Sequence, residues 1–133
     1  MFRQLSDEGF TWNEVAVSVC QKNVLKGIHG DQKNYKLLSC VFGAILHVAV
    51  DIPSRSWVMT TLRPNGPSMM LSPGIGSAVY ILSDEAALVY QQSEGYVGQE
   101  KQFTYRWDDP AFGIEWPTTT PLLSERDNGA KVL

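Results

Sequence analysis

The chain has 133 residues, of which 44% are hydrophobic and 19% charged, a composition that suits a folded globular protein and excludes a disordered or collagen-like chain. Its length predicts a single domain over residues 1–133. The net charge of −3 and the pI near 5.3 give no broad positive surface, so we expect no nucleic-acid partner, although a few local cations could hold a small anion.

In chain order, the first predicted element is a short helix over residues 6–17, where three acidic side chains lie near an apolar set. Residues 36–51, KLLSCVFGAILHVAVD, predict two β-rich runs joined through Gly43, either a strand pair or one long strand bent at the glycine. In the second run, the period of two places His47 and Asp51 on one face and only apolar side chains on the other.

Four further β-rich runs are separated by turn signals: residues 56–64, 68–73, 77–83 and 86–92. Many short strands at close spacing predict an all-β sandwich or barrel rather than a parallel α/β sheet. The tail after Trp116 is rich in Pro and Thr and then charged, which predicts irregular structure with a loose end.

The cysteines and the apolar runs indicate where the protein works. Cys20 and Cys40 form no CxxC pair, and no apolar segment of the signal-peptide type leads the chain. We therefore expect two reduced, mostly buried thiols in a cytoplasmic protein. No run approaches the ~18 apolar residues of a membrane span, so no membrane partner is expected.

The common catalytic motifs are missing. There is no HxH or HExxH metal motif and no GxSxG elbow, and the GIGS at residues 74–77 is too short for a phosphate-binding loop and lacks its lysine. What remains is a set of acids, bases and cations that a partly polar barrel interior could gather. The set consists of His29, Asp31, Lys36, Asp51, Tyr80, Tyr90, Tyr96 and Asp127. Taken singly, each is more simply a turn, strand or strand-end residue.

Five segments carry a resemblance to a known family. They are NVLKGIHGD, YKLLSCVFGAILHVAVD, SPGIGSAVYILSDEAALVYQQSEGY, RWDDPAFGIEWP and PLLSERD, and they follow one another from Asn23 to Asp127. In this order they resemble the dTDP-4-dehydrorhamnose 3,5-epimerase family of nucleotide-sugar epimerases. The resemblance implies a cupin-type jelly-roll barrel, with short helical or irregular segments at the termini. The KGIHGD form resembles short epimerase-like proteins of surface-polysaccharide and lipopolysaccharide pathways, including those acting on GDP-linked 4-keto heptoses.

The resemblance implies a role for each matching residue. His29 is expected to be the general base, with Asp127 as its carboxylate partner. Tyr90 is expected to be the proton donor, and Lys36 to lie near the keto oxygen of the sugar. The residues expected to bind substrate are Lys26 at the diphosphate, Tyr96 against the nucleotide base, Arg126 in place of a ligand-binding lysine, and Asp51 and Ser77.

The chemistry explains these residue types. A ketone at C4 acidifies the C–H bonds at C3 and C5, so a positioned base can remove a proton if the enolate oxygen is stabilised. Reprotonation from the other face by a tyrosine inverts the carbon. The resemblance therefore implies neither a metal nor a redox cofactor, and a nucleoside-diphosphate 4-keto sugar as the ligand.

The sequence departs from the family pattern at three places. The usual PPGFAHGF reads SPGIGSAV, so Ser77 replaces a histidine, and Lys26 replaces an arginine and loses its bidentate fork. An N-terminal segment that helps to hold the nucleotide in relatives is expected to be missing. These changes leave open the nucleotide and the second epimerisation, whereas the retained base and donor predict that activity persists.

Three further expectations follow. Two other functions are compatible with the same barrel: a non-catalytic sugar-nucleotide binding or scaffold protein, and an isomerase that moves the keto group between C3 and C4. A homodimer is expected by analogy with the family. Because residues three apart on a regular strand point to opposite faces, Lys26 and His29 can share a ligand only if the strand is irregular, which predicts a bulge or a bend between them.

Overall fold

The structure, a computed structural model, describes residues 11–133. The strands are β1 Glu14–Gln21, β2 Leu25–Gly30, β3 Lys36–Phe42, β4 Ile45–Asp51, β5 Ser56–Leu62, β6 Met69–Leu71, β7 Ile75–Ile81, β8 Glu85–Gln92 and β9 Phe103–Thr104. A 3-10 turn occupies Gln99–Lys101, and one short helix, α1, occupies Glu125–Asn128. Over residues 11–133, no helix has the length and apolar character needed to cross a membrane.

The strands form two sheets. One has four strands in the order β1-β8-β3-β6, and the other has five in the order β5-β4-β7-β2-β9. The pairings within both sheets are antiparallel. Two antiparallel sheets of short strands form the jelly-roll barrel, which confirms the predicted all-β fold.

The inner faces of the two sheets build the main core. Leu38 and Leu88 from the four-stranded sheet share one buried cluster with Ile45 and Ile81 from the five-stranded sheet. These four side chains are fully buried. The core is therefore the layer between the sheets, as expected where alternate residues of facing strands point inward.

A C-terminal segment covers the outer face of the five-stranded sheet. Val48 and Val50 form a second buried cluster with Phe112, and Trp116 packs against it. The indole N–H of Trp57 donates to the Phe112 carbonyl at 3.0 Å. Both faces of β4 are thus buried, one in the barrel and one under this segment, which is why its run reads as nearly continuous apolar sequence.

The predicted N-terminal helix is wrong over its described part, because residues 14–21 form β1. Residues 6–10 of that prediction lie outside the described chain. The run EVAVSVCQ alternates exposed valines with smaller inward side chains, the period of a strand. β8 pairs with β1 over its whole length and bonds the backbone groups on that side of this edge strand, a partner that no local signal could reveal.

Residues 36–51 do form two strands, but neither predicted arrangement is correct. β3 pairs with β6 and β8, whereas β4 pairs with β5 and β7 in the other sheet. The chain crosses between the sheets at Gly43, where φ is +76° and a Cβ would lie 2.2 Å from the Glu85 carbonyl oxygen. The chain therefore passes from one sheet to the other at this glycine, and Gly43 does not bend a single strand.

The prediction of a loose C-terminal end is wrong. Leu122 bridges to Val24, and α1 follows with Ser124 as its N-cap. The backbone N–H of Leu133 donates to the buried carboxylate of Asp109 at 2.6 Å. These contacts hold the tail against the barrel and fix the position of α1.

Candidate active site

A cavity of about 270 Å³ opens between the two sheets. The wall from the four-stranded sheet consists of Ala16, Lys36, Leu38, Leu71, Tyr90 and Gln92. The wall from the five-stranded sheet consists of Lys26, His29, Ser77 and Val79. Tyr96, Gln102 and Arg126 line its mouth. Seven of the nine predicted site residues therefore line the cavity, and an eighth, Asp127, is hydrogen-bonded to His29 in its wall.

The register of the sheet explains why Tyr90 faces inward. Tyr90 on β8 lies opposite Ala16 on β1 and Leu38 on β3. Residues directly opposite one another share a face of a sheet, and all three line the cavity. Gln92, two residues later on the same face, lies opposite Lys36.

A bulge in β2 aims two side chains at the same cavity. Lys26 pairs with Val79 and His29 pairs with Ser77, and the register shifts between them. Gly27 has φ of +121°, and the Gly27–Ile28 peptide bond is cis. Lys26 and His29 both line the cavity although they are three residues apart, which confirms the predicted bulge.

His29 and Asp127 form a hydrogen-bonded pair at the cavity wall. The His29 Nε2 lies 2.5 Å from Asp127 Oδ1, across 98 residues of chain. The histidine side chain is 24% exposed and the carboxylate 1%. With Nε2 engaged by a carboxylate, Nδ1 of His29 is the nitrogen left to accept a proton.

The environment keeps Asp127 ionised. Burial alone would raise its pKa, but the hydrogen bond and charge of His29 and the Gly27 N–H, which donates at 3.2 Å, lower it overall. α1 places the carboxylate, because Ser124 caps this four-residue helix and accepts from the Asp127 N–H. An ionised Asp127 can hold His29 in one tautomer and stabilise its protonated form.

Tyr90 lies on the opposite wall from His29. Burial, with a smaller contribution from Cys20, raises the pKa of the Tyr90 hydroxyl above its ordinary value. The phenol therefore keeps its proton at neutral pH. A base on one wall and a protonated tyrosine on the other are the two groups that proton exchange across a ring carbon needs.

Lys36 brings a fixed positive charge to the cavity. Its Nζ lies 3.0 Å from Asp31 Oδ2, and its side chain is 15% exposed. Asp31 also accepts the N–H groups of Lys33 and Asn34 at 2.8 and 2.7 Å. Burial opposes ionisation of Asp31, but these hydrogen bonds and Lys36 lower the pKa of Asp31 overall. The ionised Asp31 carboxylate can therefore orient the Lys36 side chain.

Two other cations are held by neutral hydroxyls. Lys26 Nζ donates to Ser18 Oγ at 2.7 Å. Arg126 donates from Nε and Nη2 to Thr104 Oγ1 at 2.9 and 2.7 Å. Because these partners are hydroxyl groups rather than carboxylates, both cations can still neutralise a bound anion.

The ring of Tyr96 lies at the mouth of the cavity. This residue is 57% exposed, and its backbone N–H donates to the Glu14 carboxylate. An exposed aromatic ring at a cavity mouth offers a face on which a planar group can stack.

Two residues of the predicted constellation lie elsewhere. Asp51, predicted to bind substrate, does not line this cavity; it is exposed at the end of β4 and accepts from Ser54 Oγ at 2.8 Å. Tyr80 is buried on the other face of β7 and donates to Asn23 at 2.9 Å. Asp51 lies on the same face of β4 as His47, but it is the last residue of the strand and lies beyond the cavity.

Sequence reasoning missed three polar residues at the site. Gln92 follows Tyr90 by two positions, so the period of two could have placed it there. Gln102 follows the 3-10 turn, for which the sequence offered no signal. His47 lies beside the lining residues, with Nε2 2.9 Å from Ser77 Oγ. Among residues 11–133, no group of three or more His, Cys, Asp or Glu side chains could hold a metal ion.

The two sheets and the cavity between them define a cupin-type jelly roll with an acid–base site. The sequence profile of dTDP-4-dehydrorhamnose 3,5-epimerase matches residues 2–133. The chain therefore belongs to the dTDP-4-dehydrorhamnose 3,5-epimerase family, which confirms the resemblance read from its motifs.

Individual relatives agree with this assignment. The chain is 37% identical over 120 residues to the dTDP-4-dehydrorhamnose 3,5-epimerase of Shigella flexneri, covering 83% of this chain and 66% of that protein. It is 35% identical over 144 residues to a dTDP-4-dehydro-6-deoxyglucose 3-epimerase of a Streptomyces species, covering 99% and 72%. The chain thus spans about two thirds of the length of these curated relatives.

Solved structures with the same fold include a sugar epimerase. The crystal structure of NovW, a 4-keto-6-deoxy sugar epimerase from the novobiocin biosynthetic gene cluster of Streptomyces spheroides, superposes with a TM-score of 0.89 at 33% identity. The match covers 98% of this chain and 71% of NovW. The barrel therefore has the fold of a known sugar epimerase.

Proposed function

We propose that this protein is a cofactor-independent epimerase that inverts C3, C5 or both of a nucleoside-diphosphate 4-keto-6-deoxy sugar. The observation that supports it best is the pairing of His29 with Asp127 on one wall of a cavity whose opposite wall carries Tyr90. The relatives, a 3,5-epimerase and a 3-epimerase of dTDP-linked sugars, support the same reaction. We further propose that residues 1–133 form one domain and that this domain works in the cytoplasm.

The reaction needs one proton removed and one returned. His29 takes the proton from the carbon next to the ketone, and the electron pair of that C–H bond moves onto the C4 oxygen as an enolate. Lys36 stabilises that oxygen by its charge. Tyr90 gives its proton to the opposite face of the carbon, and exchange with solvent restores both side chains.

The residues at and near the cavity mouth support a nucleoside diphosphate as the part of the ligand that is attached to the sugar. Lys26 on the cavity wall and Arg126 at the mouth carry two positive charges, enough for a diphosphate in a chain whose net charge is −3. Tyr96 offers an exposed ring for the nucleotide base. The relatives' names favour dTDP, whereas the KGIHGD motif adds GDP-linked 4-keto heptoses to the candidates, in surface-polysaccharide synthesis.

Solvent deuterium exchange tests the proposal. Incubation with dTDP-4-dehydro-6-deoxyglucose in D₂O should place deuterium on carbons next to the ketone. His29→Asn, Tyr90→Phe and Asp127→Asn should each slow exchange by roughly 100-fold or more, because each removes part of the proton-transfer machinery. Tyr80→Phe is the matched control, since that phenol lies outside the cavity, and it should exchange like the wild type.

Absence of exchange with dTDP-, GDP- and CDP-linked 4-keto sugars would overturn the proposal. If these ligands bind without exchange and His29→Asn binds equally well, the chain is a binding or scaffold protein. A product whose ketone has moved from C4 to C3, seen by NMR, would identify a ketoisomerase.

We also propose a homodimer, formed through the outer valine face, which we define as Val15, Val17, Val19 and Phe42. The three valines of β1 are 58%, 66% and 67% exposed and Phe42 is 59% exposed. Val19 and Phe42 both lie opposite Ala87, so these side chains share one face of the four-stranded sheet. A second copy of the chain is the occupant that the family's dimers suggest for such an apolar face.

A further inference from the structure

A second histidine lies beside the cavity lining, on the inner face of the five-stranded sheet. His47 on β4 is fully buried, and its Nε2 is 2.9 Å from the Oγ of Ser77 on β7. Ser77 lines the cavity and is the register partner of His29. The Ser77 hydroxyl is therefore hydrogen-bonded to one histidine, and Ser77 is the cross-strand neighbour of the other.

The other nitrogen of His47 decides the direction of this hydrogen bond. Nδ1 is buried and has no hydrogen-bond partner within residues 11–133. If the ring proton were on Nδ1, a buried N–H would lack an acceptor, and such orphaned donors are rare in native proteins. With the proton on Nε2, His47 donates to Ser77 Oγ and only a lone pair is left without a partner.

This direction sets what Ser77 can do. Its oxygen accepts from His47, so its own O–H is left to donate toward the cavity. A serine nucleophile needs the opposite arrangement, in which the histidine accepts the hydroxyl proton and a third group holds the second nitrogen. His47 has no such group, and its burial lowers its pKa to about 4, which makes it a weak base.

We propose that Ser77, oriented by His47, donates a hydrogen bond to an oxygen of the bound sugar on the wall that carries His29. Ser77 is then a substrate-binding residue and His47 a positioning residue. The inference rests on the proposed function, because the sugar occupies the cavity beside His29. A neutral donor can position the sugar against the base without competing with Lys36 for the enolate charge.

Binding measurements separate the sugar contact from the nucleotide contacts. Titration calorimetry should show that Ser77→Ala weakens binding of dTDP-6-deoxyglucose about 3- to 10-fold, the loss of one neutral hydrogen bond. Binding of dTDP, which has no sugar to contact, should not change. Ser39→Ala, an alanine substitution on β3 outside the cavity, is the matched control and should bind both ligands like the wild type. Equal weakening of dTDP and dTDP-6-deoxyglucose, or no weakening of either, would overturn the proposal.

Two substitutions test the positioning role. Gln at position 47 can still offer an N–H to Ser77, whereas Leu cannot. With dTDP-4-dehydro-6-deoxyglucose, His47→Leu should raise KM as Ser77→Ala does, with a smaller change in kcat, and His47→Gln should recover most of the loss. If Leu and Gln behave alike while both variants retain the wild-type circular dichroism spectrum, His47 does not act through Ser77.

NMR tests the direction of the hydrogen bond without any activity. The chain has two histidines, so His29→Asn labelled with ¹⁵N-histidine reports on His47 alone. We expect the neutral Nε2–H tautomer at pH 7, and the Nδ1–H tautomer would overturn the proposal. If the wild type exchanges no deuterium, the proposed epimerase fails, but calorimetry and NMR still decide the role of Ser77. If the wild type exchanges and Ser77→Ala matches it in KM and in sugar binding, only this inference fails.

Discussion

The two histidines of this chain have the same side chain and opposite chemistry, because their surroundings differ. His29 is partly exposed in a cavity and bonded to an ionised carboxylate, so a proton accepted on Nδ1 is stabilised by Asp127. His47 is fully buried, bonded to a hydroxyl and without a neighbouring carboxylate in its hydrogen bonds. Burial and partner, rather than residue type, therefore separate a base from a neutral donor.

The low pKa of His47 predicts an acid-dependent stability. Its pKa is about 4 in the folded protein against an ordinary 6.5, so between these values the unfolded chain binds more protons. The stabilisation is complete above pH 6.5 and is lost as pH falls toward 4. From pH 7 to 4.5 we expect the free energy of unfolding to fall by about 2–3 kcal/mol through this group.

Urea unfolding at several pH values measures this effect. Other groups titrate in the same range, so the relevant quantity is the difference in pH slope between the wild type and His47→Gln. Gln cannot take up a proton, and its unfolding free energy should fall less steeply. Parallel curves for the two proteins would show that His47 is not buried in its neutral form.

Strand β2 shows how a local irregularity creates a site. A regular strand would point Lys26 and His29 to opposite faces, whereas the bulge with Gly27 at positive φ brings both to the cavity. Gly27 also packs closely on β7: a Cβ there would lie 2.5 Å from the Ser77 carbonyl oxygen and 2.8 Å from Ala78 Cα. Glycine at this position is required by both conformation and space.

We expect Gly27→Ala to lower the free energy of unfolding by about 2–4 kcal/mol, because strain at positive φ adds to backbone overlap. Deuterium exchange should fall as well, since the positions of Lys26 and His29 depend on the bulge. Gly113→Ala is the matched control: its φ is +64°, but a Cβ there has nothing within 4 Å. It should cost only about 1 kcal/mol and leave exchange unchanged. Equal losses for the two variants would mean that the contact with β7 has no role.

The outer faces of the two sheets differ in how far they are covered. The segment with Phe112 and Trp116 covers the outside of the five-stranded sheet. The outer valine face of the four-stranded sheet is left exposed by residues 11–133. A strand face of alternating β-branched residues open to water is an unusual surface for a monomer, and it supports the proposed homodimer.

Sedimentation velocity tests this surface. We expect the wild type to sediment as a dimer at micromolar concentration and Val17→Asp to sediment as a monomer, because the substitution buries an unpaired charge in the interface. Val132→Asp places the same charge on an exposed valine of the C-terminal tail, 55% exposed, and should remain dimeric. A monomeric wild type, or a Val17→Asp protein that stays dimeric, would contradict the proposal.

Local patterns were sufficient for much of the fold. Short β-rich runs between turn signals predicted an all-β barrel, and the runs at 56–64, 68–73, 77–83 and 86–92 became β5 to β8. The ordered motifs identified the family and the cavity residues His29, Tyr90 and Lys36. Such information is readable from sequence because alternation, turn chemistry and motif order are properties of adjacent residues.

The tertiary structure decided what depends on distant partners. β1 was mistaken for a helix although its valines alternate with the period of a strand, because the partner that decides for the strand, β8, lies far along the chain. The chain changes sheets at Gly43, and Asp51 lies outside the cavity, because of strand pairings that no local pattern encodes. The contacts of His29 with Asp127 and of His47 with Ser77 join residues 98 and 30 positions apart. Residue types and periodicity specify strands and candidate groups, whereas the long-range register of the sheets determines which of those groups meet.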